Sequence, residues 1–406
     1  MRIAVITSSY PRYKGDGVAP FVKSISESLK DRGHQISVVA PYDIKVEKDP
    51  NQKLDVHRFK YIWPDSLHLL GHARSMKADV KLNPVVFLIL PLFLIASIIN
   101  LIKKCKEINA QIIHAHWVIP NGLSASIASM ILKVPFIVSL HGSDIYFADK
   151  NFIFRTVAKW VLSRSSYVTA CSQELYKRAK KINSDINIEL LPWGADPNIF
   201  KPIEDRNIIR SKYGWSPDEI IIITLGRFVY KKGFKSLISI TPKLQKKKTK
   251  FRVVIGGSGP LDKELNDQVK KLNLINIVSF PGQIPWYEVP EFLASSDIFV
   301  LPSQRDEYGN LDGLPTVLLE AMACGLPCVA NDIGGVNLVI KHEKNGLLID
   351  PYSKTQMIEN LSTLILDPPL RAKLGAKARL SVLHKYNWGN VCIIFENIYQ
   401  TSIQVP

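Results

Sequence analysis

Short runs of consecutive apolar residues alternate with stretches whose apolar positions recur every three or four residues, along most of the chain. Runs such as Ile3-Ala-Val-Ile6 and Ile220-Ile-Ile-Ile223 predict strands buried on both faces. In the first half, strands are expected at Arg2–Thr7, Gln35–Ala40, Gln111–His114, Phe136–Ser139 and Tyr167–Ala170. A second series is expected at Glu219–Leu225, Phe251–Ile255, Ile277–Phe280, Ile298–Leu301, Pro327–Ala330 and Gly346–Ile349. A helix from Ala19 to Lys30 is expected to bury Phe21, Ile25 and Leu29 and to stop at Gly33, and another spans Leu261–Lys271. Strands alternating with helices give an α/β chain with two parallel, helix-covered sheets. Pro192-Trp-Gly-Ala-Asp-Pro-Asn-Ile-Phe-Lys-Pro202 separates the two series and reads as a hinge. Two such halves are expected to place a ligand cleft where their strand ends face each other. The one low-complexity tract, Lys246-Lys-Lys248, reads as a solvated loop.

Composition narrows the class. At 406 residues the chain exceeds one ordinary core, so two domains are expected. With 46% hydrophobic and 22% charged residues it is neither disordered nor fibrous. Lys and Arg number 52 against 36 Asp and Glu, a net charge of +16 that favours polyanions, anionic lipid and phosphorylated substrates among them. The basic residues are dispersed, with no aromatic-interleaved platform, so nucleic acid is not an expected partner. The five cysteines form no Cys-x-x-Cys pair, and Pro327 lies between Cys324 and Cys328 with no His cluster near, so reduced thiols and no metal site are expected. Met1 to Ser8 runs directly into a strand, so no secretory leader is expected and the setting reads as cytoplasmic.

One segment complicates that setting. Val85 to Ile102 is apolar apart from Ser97 and Asn100, and Lys103, Lys104 and Lys106 follow. It reaches the lower length limit for a membrane span, but Pro91 interrupts it and a strand pattern resumes soon after. A span would divide one sheet across a bilayer. A buried helix or one lying on an anionic membrane surface is therefore expected.

Four groups of residues carry candidate chemistry. Gly15-Asp-Gly17 follows the first strand, where a bare backbone can approach a diphosphate near a helix N-terminus; an ordinary turn explains it equally well. Gly226-Arg227 ends a strand and Lys231-Lys232-Gly233 follows, cations suited to a departing nucleoside diphosphate, with Lys231 also readable as surface charge. Asp312 and Glu320 bracket Gly313-Leu-Pro-Thr-Val-Leu-Leu319. A carboxylate accepts hydrogen bonds from vicinal hydroxyls, so one acid can hold a hexose and the other a ribose. An N-cap and an ordinary helical Glu are the plainer alternative, which leaves a charge among Val317, Leu318, Leu319, Ala321 and Met322 unexplained. Finally His141 ends a strand in Ser139-Leu-His-Gly-Ser-Asp144, and His114-Ala-His116 ends the strand before it. His-x-His spacing invites zinc, yet no third ligand is evident.

In that order these motifs resemble glycosyltransferase family 4, retaining enzymes of the GT-B fold that use nucleotide sugars. The most specific stretches are Leu140-His-Gly-Ser-Asp144, Gly226-Arg-Phe-Val-Tyr-Lys-Lys-Gly233, Gly256-Gly-Ser-Gly-Pro260 and Gly313-Leu-Pro-Thr-Val-Leu-Leu-Glu-Ala-Met-Ala-Cys-Gly325. The resemblance implies two Rossmann-like domains facing across a cleft. Residues 1–195 with a returning segment 386–406 would bind acceptor, and 196–385 would bind the donor. It implies that Gly17 offers its amide to the diphosphate and that Arg227 and Lys232 neutralise it, so that no divalent metal is required. Gln283 falls where the family contacts the base, Glu320 on the ribose, and Asp312 with the amides of Gly313 and Leu314 on the hexose. His141 would face the sugar from the other domain.

The family's first acid is usually Glu, and Asp312 is one methylene shorter, which shifts the sugar contact. No separate cofactor is implied, the donor being a UDP- or GDP-hexose and the acceptor a saccharide or lipid-linked sugar. Glycolipid or surface-polysaccharide synthesis at the inner face of a membrane is the expected role. A catalytically silent binder of sugar nucleotide or anionic membrane is the alternative that Asp312 leaves open.

Overall fold

A computed structural model of the chain describes residues 1–48, 52–72, 76–77, 81–82, 85–244, 249–307 and 309–404. The tract Lys246–Lys248 lies outside the described residues. The chain forms two compact units, Pro192–Asn387 and Met1–Leu191 completed by the terminal helix Trp388–Gln404.

The first unit is built on a seven-stranded sheet. Its strands are β1 (Arg2–Ile6), β2 (Gln35–Pro41), β3 (Asp55–Phe59), β6 (Ile112–His116), β7 (Phe136–Leu140), β8 (Tyr167–Ala170) and β9 (Ile188–Leu190). Residues Met76–Lys77 (β4) and Lys81–Leu82 (β5) form a separate antiparallel pair. The sheet runs in the order β3-β2-β1-β6-β7-β8-β9, every pairing parallel. Ile3 stands between Ile36 and Ile112 in register, and Ile3 through Ile6 are sealed from solvent. Burial on both faces is why these strands read as unbroken apolar runs.

The second unit repeats the plan with β10 (Ile220–Leu225), β11 (Phe251–Gly256), β12 (Val278–Ser279), β13 (Ile298–Leu301), β14 (Cys328–Asn331) and β15 (Leu347–Ile349). These form a six-stranded parallel sheet in the order β12-β11-β10-β13-β14-β15. Its framework is pinned by a buried guanidinium. Arg210 donates to the carbonyls of Ser295, Pro217 and Glu219 and to Asp297, whose Oδ2 also accepts from the backbone N–H of Ile221.

Two expectations are corrected here. In the first helix, Pro20–Asp31, the core face is Val22, Ile25, Ser26 and Leu29, while Phe21 is only half-buried. The 3.6-residue repeat places Val22, not Phe21, under the sheet. Nor does Pro91 interrupt the apolar segment, which is one helix from Val85 to Glu107 with Pro91 inside it. Val86, Ile89, Phe93, Ser97, Leu101 and Cys105 on that helix are buried, whereas Leu88, Leu92, Ile95 and Ile99 are exposed. The helix is long and apolar enough to cross a membrane, with a mean hydropathy of 2.4, yet it forms part of the layer covering the first sheet.

The terminal helix belongs to the first unit's core. Val391, Cys392, Phe395, Ile398 and Tyr399 are buried, and Glu396 accepts from Arg32 at 2.7 Å through both oxygens. Phe395 is wholly enclosed, so Phe395→Ala is expected to lower unfolding free energy by about 3–5 kcal/mol, measured by urea denaturation.

Candidate functional site

Each sheet has one place where its strand order reverses, between β1 and β6 in the first and between β10 and β13 in the second. Loops leaving adjacent strands there run in opposite directions and open a crevice at the carboxyl ends. The candidate residues lie on loops at these ends, except Glu320, which is in the helix that follows the loop after β13.

In the first unit, Asp16 ties down the loop after β1. It accepts from the Arg12 side chain at 2.6 and 3.1 Å and from the backbone N–H groups of Arg12 and Val18. Burial pushes this carboxyl up, but the bonds from Arg12 outweigh it and hold the group below its ordinary range. Gly17, next in the chain, is exposed with open space around its Cα, three residues ahead of the helix Pro20–Asp31.

At the ends of β6 and β7, Asp144 accepts from the backbone N–H groups of Val118 and Gly142, fastening the two strand ends together. His141 Nε2 lies 3.0 Å from His116 Nδ1, and the rings of Phe21 and Trp117 pack on His141 with centroids at 4.9 and 4.5 Å. The exposed edge of Phe21 thus belongs to this loop cluster and not to the core. His114 has both nitrogens engaged, Nδ1 with the Tyr399 hydroxyl at 2.8 Å and Nε2 with Ser139 Oγ at 2.7 Å. The His-x-His pair therefore works as a hydrogen-bonded stack. Among the described residues no group of three or more His, Cys, Asp or Glu is arranged to hold a metal ion.

In the second unit, the loop after β10 carries Gly226, Arg227 and a tight turn Tyr230–Lys232. Gly233 follows with φ +69°, and a side chain there would collide with the Pro302 carbonyl, so only glycine lets this turn lie against the end of β13. That turn brings both lysines to Asp312: Lys231 Nζ is 3.2 Å from Oδ1 and Lys232 Nζ 2.7 Å from Oδ2. Burial alone would raise the Asp312 pKa, but the two ammonium groups overcome it and hold the carboxylate well below its usual range. Lys231 is thus mostly buried and paired, which corrects its reading as surface charge. The strand pattern gave no sign of this; the glycine closing the turn was the available signal.

Asp312 and Gly313 are backed by Gly334, whose φ of +67° leaves no room for a side chain against their carbonyls, while the Gly335 N–H donates to the Gly313 carbonyl at 2.6 Å. Leu314 is buried beside them. Nearby Asp306 accepts from the Asn310 N–H and closes its own turn. Glu320 sits inside the helix Thr316–Ala323, only 9% exposed, with no cation in ion-pair reach among the described residues. Burial pushes its pKa up to about 7, against a smaller opposing effect of the Thr316 hydroxyl. Thr316 was not anticipated; a hydroxyl four residues before a helical Glu was the signal. Gln283 is exposed on the loop after β12, where the Gly282 carbonyl accepts from Gly257 at 2.8 Å. The second unit thus brings Arg227, Lys232, Gln283, Asp312, Gly313, Leu314 and Glu320 to one edge of its sheet, and the first does the same for Gly17 and His141.

Chemically, the second edge offers cations, backbone amides, one carboxylate already neutralised and one carboxyl poised near neutral pH. Acids shifted in opposite directions, one by ion pairing and one by burial, are among the marks of a functional site.

Comparison with known proteins bears on the family and the fold. Residues 15–199 match the family described as Glycosyltransferase Family 4, and residues 205–381 match Glycosyl transferases group 1. A protein from Bacillus subtilis, provisionally named as the teichuronic acid biosynthesis glycosyltransferase TuaC, is 29% identical over 89% of this chain and 88% of its own. A GDP-mannose-dependent alpha-(1-6)-phosphatidylinositol monomannoside mannosyltransferase from Mycolicibacterium smegmatis is 29% identical over 62% of this chain and 66% of its own. The crystal structure of Anabaena HepE in complex with UDP and glucose superimposes with a TM-score of 0.75 at 20% identity, covering 99% of this chain and 100% of that one. The chain belongs to glycosyltransferase family 4, the group 1 glycosyltransferases, and has the GT-B fold of two Rossmann-like domains.

Proposed function

We propose that the protein is a retaining hexosyltransferase, metal-independent, that moves a hexosyl unit from UDP- or GDP-hexose to an acceptor hydroxyl in glycolipid or surface-polysaccharide synthesis. The observation that carries this reading is Glu320, a buried carboxyl with no cation in ion-pair reach among the described residues, on the helix that follows the Asp312 loop. A buried structural acid is usually paired with a cation; one met only by the Thr316 hydroxyl is suited to a ligand that brings its own hydroxyl donors, such as a ribose diol. In this reading Gln283 meets the base, Arg227 and Lys232 the diphosphate, and Asp312 with the amides of Gly313 and Leu314 the hexose. The first unit contributes the Gly17 amide to the diphosphate and His141 to the sugar.

The bond from the anomeric carbon to the phosphate oxygen breaks as that from the acceptor oxygen forms on the same face. The acceptor proton passes to the leaving phosphate. Charge builds on the diphosphate, so Arg227 and Lys232 carry the main catalytic burden. These two fixed cations take the part a divalent ion plays elsewhere. Support for the two donor classes comes from the GDP-mannose dependence of one relative and the UDP bound in one structural neighbour.

We further propose that the exposed stripe Leu88, Leu92, Ile95 and Ile99, followed by Lys103 and Lys106, rests on the anionic inner face of a membrane. The cytoplasmic, peripheral setting of the enzyme follows from that contact.

Purified protein is expected to gain thermal stability from one of the UDP-, GDP- or ADP-sugars and to release the matching nucleoside diphosphate. Binding without turnover would favour the silent binder, and no binding at all would remove the proposal. Lys232→Ala is expected to lower kcat/KM by about 10²–10³-fold in a coupled nucleotide-release assay. Glu320→Gln should weaken donor binding about 10–100-fold by calorimetry. The same variant should be more stable than wild type at pH 8, by up to about 3 kcal/mol, because a raised pKa costs the folded state more as pH climbs from about 4.5 through 7. That difference should vanish below pH 4.5. Leu92→Glu with Ile95→Glu should reduce flotation with phosphatidylglycerol vesicles about tenfold.

A further inference from the structure

Asp312 is held by two ammonium groups at once, one on each oxygen: Lys231 Nζ lies 3.2 Å from Oδ1 and Lys232 Nζ 2.7 Å from Oδ2. The carboxylate is mostly buried, with 16% of its side chain exposed, and both lysine side chains are sheltered to a similar degree. A single ammonium would neutralise it. The second calls for a separate reason.

The two lysines are neighbours in sequence yet stand on different footings. The Lys232 stem crosses Gly226, where a side chain would come within 3.2 Å of its Cε and 3.6 Å of its Nζ, so it lies over the backbone that carries Arg227. Lys231 is fastened instead to the loop leaving β13. Its carbonyl accepts from the Gln304 N–H at 2.8 Å, and the Gln304 side chain donates to the Tyr230 carbonyl at 3.1 Å and accepts from Ser236 Oγ at 3.3 Å. That loop runs on through Asp312. Lys231 thus shares its support with the acid, and Lys232 with the arginine.

A diphosphate that engages Arg227 and Lys232 draws the ammonium away from Oδ2. A carboxylate with no other cation would then face the arriving anion at close range, where like charges in a sheltered site repel. The contact of Lys231 with Oδ1 does not depend on the one given up. We infer that Lys231 is a positioning residue for Asp312: it keeps the carboxylate seated while Lys232 turns to the diphosphate, so that Asp312 stays aimed at the hexose. The adjacent lysines divide the work, one serving the leaving group and the other the sugar contact. The inference rests on the proposed donor site.

The test combines a direct and a kinetic readout. In a structure of the wild-type chain with UDP or GDP bound, Lys232 Nζ should lie against the diphosphate while Lys231 Nζ remains within about 4 Å of Asp312. By calorimetry, Lys231→Met should bind the nucleoside diphosphate within about threefold of wild type, whereas Lys232→Met should bind it about 10–100-fold more weakly. With the nucleotide sugar that supports turnover, Lys231→Met should lose about 10–100-fold in kcat, and Lys231→Arg, which keeps the charge, should recover it to within about fivefold. Lys231 seated on the diphosphate in the bound structure overturns the inference, whether or not the Met variant folds. So does a folded Lys231→Met chain with unchanged kcat, or one whose nucleotide affinity falls as far as that of Lys232→Met. Failure of the wild type to bind either nucleotide would instead remove the donor reading itself, and the inference with it.

Discussion

A parallel sheet whose strand order reverses must leave a gap at its carboxyl edge, because helices on either side of the reversal cover opposite faces. Both sheets here obey that constraint, and the chemistry of the chain collects where the gaps fall. Gly15–Gly17 leaves β1 and His116 ends β6, the two strands flanking the first reversal. Arg227 leaves β10 and the loop to Asp312 leaves β13, the strands flanking the second. Glycine then decides how closely these loops approach. Gly233 against Pro302 and Gly334 against Asp312 and Gly313 are contacts that any side chain would hold open.

Two acids eight positions apart end in opposite electrostatic states for that reason. The closed turn delivers two ammonium groups to Asp312, so it stays ionised in spite of burial. Glu320 lies about one turn into a helix whose surroundings are apolar, and among the described residues only Thr316 reaches it. In the proposed reading Lys232, which pairs with Asp312, would also meet the diphosphate, so a donor would compete with Asp312 for it. Glu320 has no cation to compete for, and Thr316 supplies its one hydroxyl donor among the described residues.

Much of this was legible in the chain because strands buried on both faces write themselves as uninterrupted apolar runs. The central strands of both sheets fell where Ile3–Ile6 and Ile220–Leu225 predicted them. The edge strands of the first sheet did not: β3 is Asp-Val-His-Arg-Phe and β9 Ile-Glu-Leu, each half-solvated and free of the apolar signature. Phe21 was misassigned for a related reason, since an aromatic ring at helical spacing looks the same whether it faces a core or covers a loop. The acids, Arg227 and His141 could be found by motif; that Lys231 joins Lys232 at Asp312, and that His116 bonds to His141, depends on a turn and on a strand register. Neither leaves a mark in local composition.

The terminal helix gives the order of synthesis a meaning. Phe395 and Tyr399 complete the core around His114, yet some two hundred residues of the second unit separate them from the rest of the first (Pro192–Asn387). A nascent chain emerging from the ribosome can finish its second domain before its first, reversing the usual N-to-C order of domain folding. Until the helix docks, the His114–His116 stack lacks its Tyr399 support. A message cut short before Phe395 would therefore yield a chain with its second domain complete and its first domain lacking part of its core.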